Sequence, residues 1–162
     1  MNDEKTVRLD RMRYAKNSFS SGFALLAILF DVFFFISLYE SDVGNYYYNI
    51  LIGASILYNL IFMLAAFLSS EGVKNYKIGY SWLMILLGAG QIVRIFILPA
   101  QAAAAEVTIG ETVYRVMETP QHIRVVVYLL ISAACCLAGG VIGIFRCNEL
   151  SAHLASLQEN KA

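Results

Sequence analysis

The chain has 162 residues, of which 59% are hydrophobic and 15% are charged. Soluble domains contain about 45–50% apolar and about 25% charged residues, so this composition is typical of a membrane protein. The net charge is zero, which excludes a bulk electrostatic attraction to nucleic acid. The length fits one domain, and we predict a single membrane domain over residues 1–162.

Four long apolar segments follow one another along the chain. A bilayer core of about 30 Å requires roughly 20 apolar residues in a helix. Because backbone groups inside lipid must be paired within their own segment, we expect each segment to be an α-helix. The predicted fold is therefore an all-α bundle of four transmembrane helices. The approximate segments are residues 20–39, 48–68, 79–98 and 125–145.

The distribution of basic residues predicts the orientation of the bundle. Nine lie in the leader, in the 69–78 loop or in the tail, which alternate with the predicted helices so that they share one side of the membrane. Arg115 and Arg124 lie on the other side. Since basic residues stay in the cytoplasm, we expect both termini there, in a cell (plasma or inner) membrane. The nine are Lys5, Arg8, Arg11, Arg13, Lys16, Lys74, Lys77, Arg146 and Lys161.

The segment 99–124 is predicted to be an external loop. Pro99 is expected to stop the third helix, because proline lacks a backbone N–H and clashes with the preceding turn. The alanine-rich residues 101–105 are compatible with one further helical turn. Residues 107–116 alternate around Gly110, which is typical of a short β-hairpin. After the fourth segment, leucines at helical spacing indicate that residues 146–162 continue as a cytoplasmic helix.

Two charged residues interrupt the apolar segments. At about 1.5 Å per residue, Asp31 lies roughly 16 Å and Arg94 roughly 22 Å from the inner face. Gln91 and Asn59 fall at a similar depth. A charge at the bilayer centre costs at least about 2.5–3.5 kcal/mol. We therefore expect these four side chains to form one intramembrane polar layer, in which the long arginine reaches Asp31.

The predicted polar layer has more than one interpretation. A channel or carrier would use Asp31 to bind an ion or a proton. A structural clamp would use the ion pair to fix which helix faces which. We favour the clamp, because a permanent arginine partner keeps a carboxylate ionised. In a third arrangement, Arg94 extends outward to the interface and Asp31 pairs with another subunit.

Small residues in the last two segments predict close helix packing. Gly88 lies in the third segment, and Gly139, Gly140 and Gly143 lie in the fourth. The spacing from Gly139 to Gly143 is GxxxG. Glycines let two helix backbones approach each other closely in a membrane, so we expect all four at helix contacts.

Signals for catalysis, metal binding and cofactor binding are missing from the sequence. The adjacent Cys135 and Cys136 have neither disulfide-framework nor zinc-ligand spacing, and His122 and His153 are isolated. No serine-hydrolase, metalloprotease or phosphate-loop motif occurs. Cys147 follows the fourth segment and is a possible acylation site, although an unmodified thiol is the commoner state.

These observations predict a non-catalytic integral membrane protein. We expect an accessory or structural subunit of a larger membrane complex, such as a transporter. The alternative is a small oligomeric ion or proton channel, or a secondary transporter, that uses Asp31 with Arg94. The expected partners are the lipid bilayer and other membrane subunits or further copies of the chain, and not nucleic acid. We expect no metal and no cofactor.

Overall fold

A computed structural model describes residues 3–38, 46–109 and 111–159. In this part of the chain, four helices are each long and apolar enough to cross a membrane. The prediction of an all-α fold with four candidate spans is confirmed. The elements in chain order are α1 (Asp3–Tyr14), α2 (Ser18–Leu38), α3 (Tyr46–Lys74), α4 (Ile78–Ala104), β1 (Glu106–Ile109), β2 (Thr112–Arg115) and α5 (Thr119–Glu159).

The four long helices form a ring. α2 packs against α3 and α5, and α4 packs against the same two helices, so α2 and α4 lie opposite each other. Neighbours run antiparallel. Gln121 near the start of α5 bonds Ser37 near the end of α2, whereas Ser132 further along α5 bonds Ala27 nearer the start of α2.

Apolar clusters lie on either side of one polar layer inside the ring. Along α2, Ala27 and Phe34 are buried in two different clusters, and the buried Asp31 lies between them. The same order recurs on α4 and α5, since apolar and polar positions alternate at about one helical turn. The first cluster includes Phe34, Leu98 and Leu129, and the second includes Ala27, Phe62 and Cys136.

α3 extends beyond its predicted end at residue 68. It continues to Lys74, so the predicted 69–78 loop shrinks to a short turn before α4. The serines in this extension are satisfied within the bundle, because Ser69 Oγ donates to the Ala65 carbonyl at 2.7 Å and Ser70 Oγ lies 2.7 Å from Ser21 Oγ. Polar residues therefore do not end this helix.

The prediction that Pro99 stops the third helix is wrong. α4 passes through Pro99 and ends at Ala104. An interior proline removes one backbone hydrogen bond, but neighbouring helices make this tolerable in a membrane. Pro99 and Ala102 are buried, and Ala102 belongs to the first cluster, so packing holds the last turns in place. The predicted external loop is correspondingly shorter.

Two strands of four residues each connect α4 to α5. β1 and β2 pair antiparallel, with Glu106 opposite Arg115 and Ile109 opposite Thr112. Gly110, the expected centre of the turn, lies outside the described residues. The base of this connection is fixed to the bundle, because Val116 joins the first cluster and its backbone N–H donates to the Ala105 carbonyl at 3.1 Å.

α5 combines the fourth predicted span and most of the predicted tail in one helix. Its 41 residues extend about 60 Å, roughly twice the bilayer core. α1 packs on the end of α5 that follows Arg146. Arg8 Nη2 lies 3.2 Å from Glu149 Oε2, and His153 Nε2 lies 2.9 Å from Asp10 Oδ1. Two ends that the predictions included, residue 39 of the first span and residues 160–162 of the tail, lie outside the described residues.

Candidate functional site

The centre of the bundle holds an ion pair between the two opposite helices. Asp31 in α2 is 0% exposed and Arg94 in α4 is 5% exposed. Arg94 Nη1 donates a hydrogen bond to Asp31 Oδ1 at 3.0 Å. Gln91 Nε2 donates to the same oxygen at 2.9 Å. Two donors about one turn apart on α4 therefore hold one carboxylate of α2.

Serine side chains join the other two helices to this pair. In α3, Ser55 Oγ accepts from Arg94 Nη2 at 2.7 Å, and the Ser55 carbonyl oxygen lies 3.3 Å from the same nitrogen. In α5, Ser132 Oγ donates to the Ala27 carbonyl at 2.9 Å and lies 3.5 Å from Gln91 Nε2. All four spans thus contribute to one polar network, defined as Asp31, Ser55, Gln91, Arg94 and Ser132.

Aromatic rings cover the guanidinium group. Its central carbon lies 4.1 Å from the ring centroid of Phe34 and 4.8 Å from that of Tyr58. A cation that lies over an aromatic face is attracted by the ring quadrupole, and more strongly when water is excluded. The planar, weakly hydrated guanidinium suits such a site better than an ammonium group does. Arg94 therefore points inward, and does not extend to the membrane interface.

Some buried polar atoms of the layer have no hydrogen-bond partner in the described part of the chain. They are Asp31 Oδ2, Gln91 Oε1 and both side-chain polar atoms of Asn59. Asn59 is 1% exposed and lies one turn along α3 from Ser55, but it does not contribute the hydrogen bond that the sequence suggested. Leaving a buried polar atom unpaired costs about 1–3 kcal/mol.

Part of this arrangement is predictable from the amino-acid sequence. The structure brings Asp31, Gln91 and Arg94 into contact, and these residues break apolar segments at matching depths. Ser55 and Phe34 were not assigned to the layer, because serine and phenylalanine occur throughout apolar helices. Their spacing carried the available signal: Phe34 lies three residues after Asp31, and Ser55 lies four residues before Asn59, which puts each on the same helix face.

The four glycines assigned to packing lie at buried positions. A methyl group at Gly140 would lie 2.8 Å from the Ser81 backbone oxygen, and one at Gly88 would lie 2.9 Å from Leu137 Cγ. Methyl groups at the other two positions would come within 2.5 Å of side chains of α4. These glycines therefore set the spacing between α4 and α5. The other two are Gly139 and Gly143.

The remaining candidates lie near the end of the bundle where α1 packs. Cys147 is 8% exposed, and its Sγ donates to the Tyr76 carbonyl at 2.9 Å, so acylation would require this contact to open. Burial raises the pKa of the Tyr76 hydroxyl, and Arg146 lowers it by a smaller amount. His153 is paired with Asp10 rather than isolated. Among the described residues, no group of three His, Cys, Asp or Glu could hold a metal ion.

Comparisons of the chain with protein-family models, with curated proteins and with solved structures found no match. The polar network contains one acid, one permanent cation and neutral hydrogen-bonding groups, all enclosed by helices. Such a network can fix helices relative to one another, and its unpaired atoms can hold a small polar species.

Proposed function

We propose that the protein is a non-catalytic membrane subunit that assembles with other membrane proteins, such as a transporter, or with further copies of itself. In this proposal, the polar network is a structural clamp. The observation that carries the proposal is the closure of the ion pair: Asp31 is held by Arg94 and Gln91, and Arg94 is in turn held by Ser55.

A closed ion pair is poorly suited to carrying ions. A group that loads and releases an ion or a proton must exchange partners during the cycle, and a buried carboxylate deprived of its cation is left uncompensated, at a cost of about 3–5 kcal/mol. A clamp benefits from the same property, because that energy disfavours every arrangement in which the helices are wrongly paired. The network touches all four spans and thus specifies their order around the ring.

The outer surface of α3 supports assembly within the membrane. Leu57, Leu60, Ile61 and Leu64 are 56–63% exposed and face away from the bundle. Such a surface contacts lipid or another helix, and helices in membranes associate mainly by van der Waals packing. The segments between the spans are short, so contacts in water are left mainly to α1 and the end of α5.

The orientation is a further part of the proposal. We place α1, the α3–α4 turn and the end of α5 in the cytoplasm, and β1 and β2 on the outer side of a plasma or inner membrane. The basic residues of α1, Lys74, Lys77 and Arg146 support this orientation, because they lie at one end of the bundle. We place residues 146–162 in the cytoplasm with them.

Thiol labelling tests the orientation. In a chain whose three native cysteines are replaced by alanine, Glu111→Cys should react with a membrane-impermeant maleimide added to intact cells, and Asn75→Cys should react only after the cells are opened. Both positions are exposed, so accessibility in water is matched. The reverse pattern would overturn the orientation.

Assembly is tested by native mass spectrometry of the tagged protein, extracted from its own host in lipid nanodiscs. We expect a defined complex larger than one chain, with constant stoichiometry between preparations. An identically tagged four-helix membrane protein from the same host is the control for adventitious capture. A monomer under all mild extraction conditions would contradict the proposal.

A second candidate function is an ion or proton channel or carrier, in which the same layer is the conducting site. The observation that favours it is the set of unpaired buried atoms on Asp31, Gln91 and Asn59, since intramembrane polar groups often mark ion pathways. The purified protein in liposomes with an internal pH dye tests this function. Proton or ion flux that disappears with Asp31→Asn would favour the channel over the clamp.

A further inference from the structure

A groove lies between α3 and α4 on the surface of the bundle. Its volume is about 610 Å³, within the range of about 300–1,000 Å³ that is usual for small-molecule sites. Residues from Leu86 to Leu98 line its α4 side, a length of about 18 Å. Leu86, Val93 and Ile97 form its rim and are 48–68% exposed, so the groove opens toward the lipid.

The floor of this apolar groove carries two hydrogen-bond donors. One is the hydroxyl of Tyr58, which has no hydrogen-bond partner among the described residues. This hydroxyl lies over Gly90, where a methyl group would come within 2.6 Å of Tyr58 Oη. The other is Arg94, which contributes to the lining and is 5% exposed. An arginine has five N–H groups, and the contacts to Asp31 and Ser55 use three at most.

The charges around the groove select a neutral ligand. Arg94 is already balanced by Asp31 at 3.0 Å, so an anion bound here would leave one uncompensated negative charge in the hydrocarbon. An uncompensated charge in the hydrocarbon is strongly disfavoured. Because Arg94 can donate but not accept, the polar end of the ligand must accept hydrogen bonds. A carbonyl oxygen meets both conditions.

The depth of the groove distinguishes a free ligand from the bilayer's own lipids. Arg94 lies 10 residues before the end of α4 at Ala104 and 16 residues after its start at Ile78, which is about 15 Å and about 24 Å along the helix. With Arg94 roughly 22 Å from the inner face of a core about 30 Å thick, the groove residues around it lie inside the hydrocarbon, whereas the ester carbonyls of membrane lipids lie at its boundary with the headgroups. A carbonyl that reaches the floor belongs to a molecule dissolved in the core.

We propose that this groove binds a neutral lipophilic carbonyl compound, whose oxygen accepts hydrogen bonds from Tyr58 Oη and Arg94 and whose apolar part lies along Leu86, Val93 and Ile97. The site goes beyond the proposed subunit function and does not depend on it, because the groove is complete within one chain. No bond is made or broken in the proposal: the site binds.

Photolabelling tests the proposal with a probe whose reactive group is the carbonyl itself. The purified protein in nanodiscs is irradiated with 4-octylbenzophenone, whose excited ketone inserts into a nearby C–H bond, and the adducts are located by mass spectrometry. We expect adducts concentrated on the groove sides of α3 and α4. Labelling that is equal on all lipid-facing surfaces would overturn the proposal.

Competition identifies the chemistry of the ligand. Decanophenone and decylbenzene differ by one carbonyl in place of one methylene group, so we expect the ketone to compete at about fivefold lower concentration, the effect of one neutral hydrogen bond. Equal competition would mean that the groove takes any apolar chain. Stronger competition by decanoate would mean that it takes an anion. More labelling in discs of ether-linked than of ester-linked phospholipid would assign the site to bilayer lipid. Each of these three results would overturn the proposal.

Matched variants test the two positions that form the floor. Tyr58→Phe removes the hydroxyl and keeps the ring over Arg94, and Gly90→Ala displaces the hydroxyl, so both should reduce labelling about fivefold. Tyr128→Phe, on α5, and Gly53→Ala, where a methyl group meets nothing within 4 Å, are the controls and should label like the parent. Unchanged labelling in a Tyr58→Phe protein that elutes like the parent would contradict the assignment.

Discussion

α4 meets its two neighbours in different ways. Against α5 it is packed closely, because glycines replace side chains at the contact: a methyl group at Gly140 would lie 2.8 Å from the Ser81 carbonyl oxygen. Against α3 it is held through a hydrogen bond from Arg94 to Ser55, and a groove of about 610 Å³ remains beside that bond.

The comparison shows that one residue type serves two opposite purposes on neighbouring helices. Gly140 lets two backbones approach and leaves no space, whereas Gly90 on α4 makes room for the hydroxyl of Tyr58. The difference lies in the neighbouring atoms: backbone atoms of α4 and the side chain of Ile85 fill the space beside Gly140, whereas the long aromatic side chain of Tyr58 crosses the space beside Gly90. Stability should therefore be concentrated on the α5 side and in the polar network, and binding on the α3 side.

The largest expected effect is that of Asp31→Asn, which leaves Arg94 buried without a counter-charge. We expect a loss of about 3–5 kcal/mol in the free energy of unfolding, measured by denaturant titration in mixed micelles. The double change with Arg94→Gln should recover much of this loss, because no charge then remains. If the double variant is as unstable as the sum of the single variants, the two residues are not energetic partners.

Ser55→Ala tests how much the α3–α4 contact depends on one bond. It removes the hydroxyl that accepts from Arg94 at 2.7 Å, and a hydrogen bond to a charged group contributes about 1.5–3 kcal/mol. We expect a loss of that size in the same titration. Ser37→Ala is the control, because Ser37 is also buried but its contact with Gln121 uses the backbone carbonyl. If Ser55→Ala and Ser37→Ala lower the free energy of unfolding equally, the hydrogen bond from Arg94 contributes no more than the loss of a buried serine hydroxyl.

The sequence predicted the helices better than their ends. Composition and segment length were sufficient for four spans, since the bilayer requires long apolar helices. The predicted helix end at Pro99 was wrong because tertiary packing outweighs the low helix propensity of proline. The turn that follows Pro99 is held by the burial of Ala102 in the first cluster. The predicted helix end near Ser69 was also misplaced. A serine that is buried and hydrogen-bonded inside a helix cannot be distinguished from a serine in a loop by composition alone.

The polar layer could be predicted from the sequence, because charged residues within long apolar segments are easily recognised. The contact between Tyr58 and Gly90 could not be predicted, because neither residue is unusual in a membrane helix. Whether they meet depends on how α3 and α4 are rotated about their axes. The contact between His153 and Asp10 was missed similarly, since 143 residues separate the two along the chain.

Gly140→Ala probes the close side of α4. The added methyl group would lie 2.8 Å from both the Ser81 carbonyl oxygen and Ile85 Cγ1, and overpacking of this kind costs about 1–3 kcal/mol. Because a backbone oxygen cannot move aside as a side chain does, we expect a measurable loss of unfolding free energy. Gly53→Ala adds the same methyl group in open space and should be neutral. A neutral Gly140→Ala would mean that α4 and α5 separate without cost.

Tyr58→Phe has the smallest expected effect on stability and separates the two sides of α4 most clearly. The ring stays 4.8 Å from the Arg94 guanidinium, and the lost hydroxyl has no partner among the described residues. Changes that remove no packing and no hydrogen bond are usually within about 0.5 kcal/mol, so the unfolding curve should overlay that of the parent. Photolabelling of the groove should nevertheless fall about fivefold. A loss of stability comparable to that of Ser55→Ala would instead make the hydroxyl part of the clamp, and the α3 side of α4 would then be a structural contact rather than a binding surface.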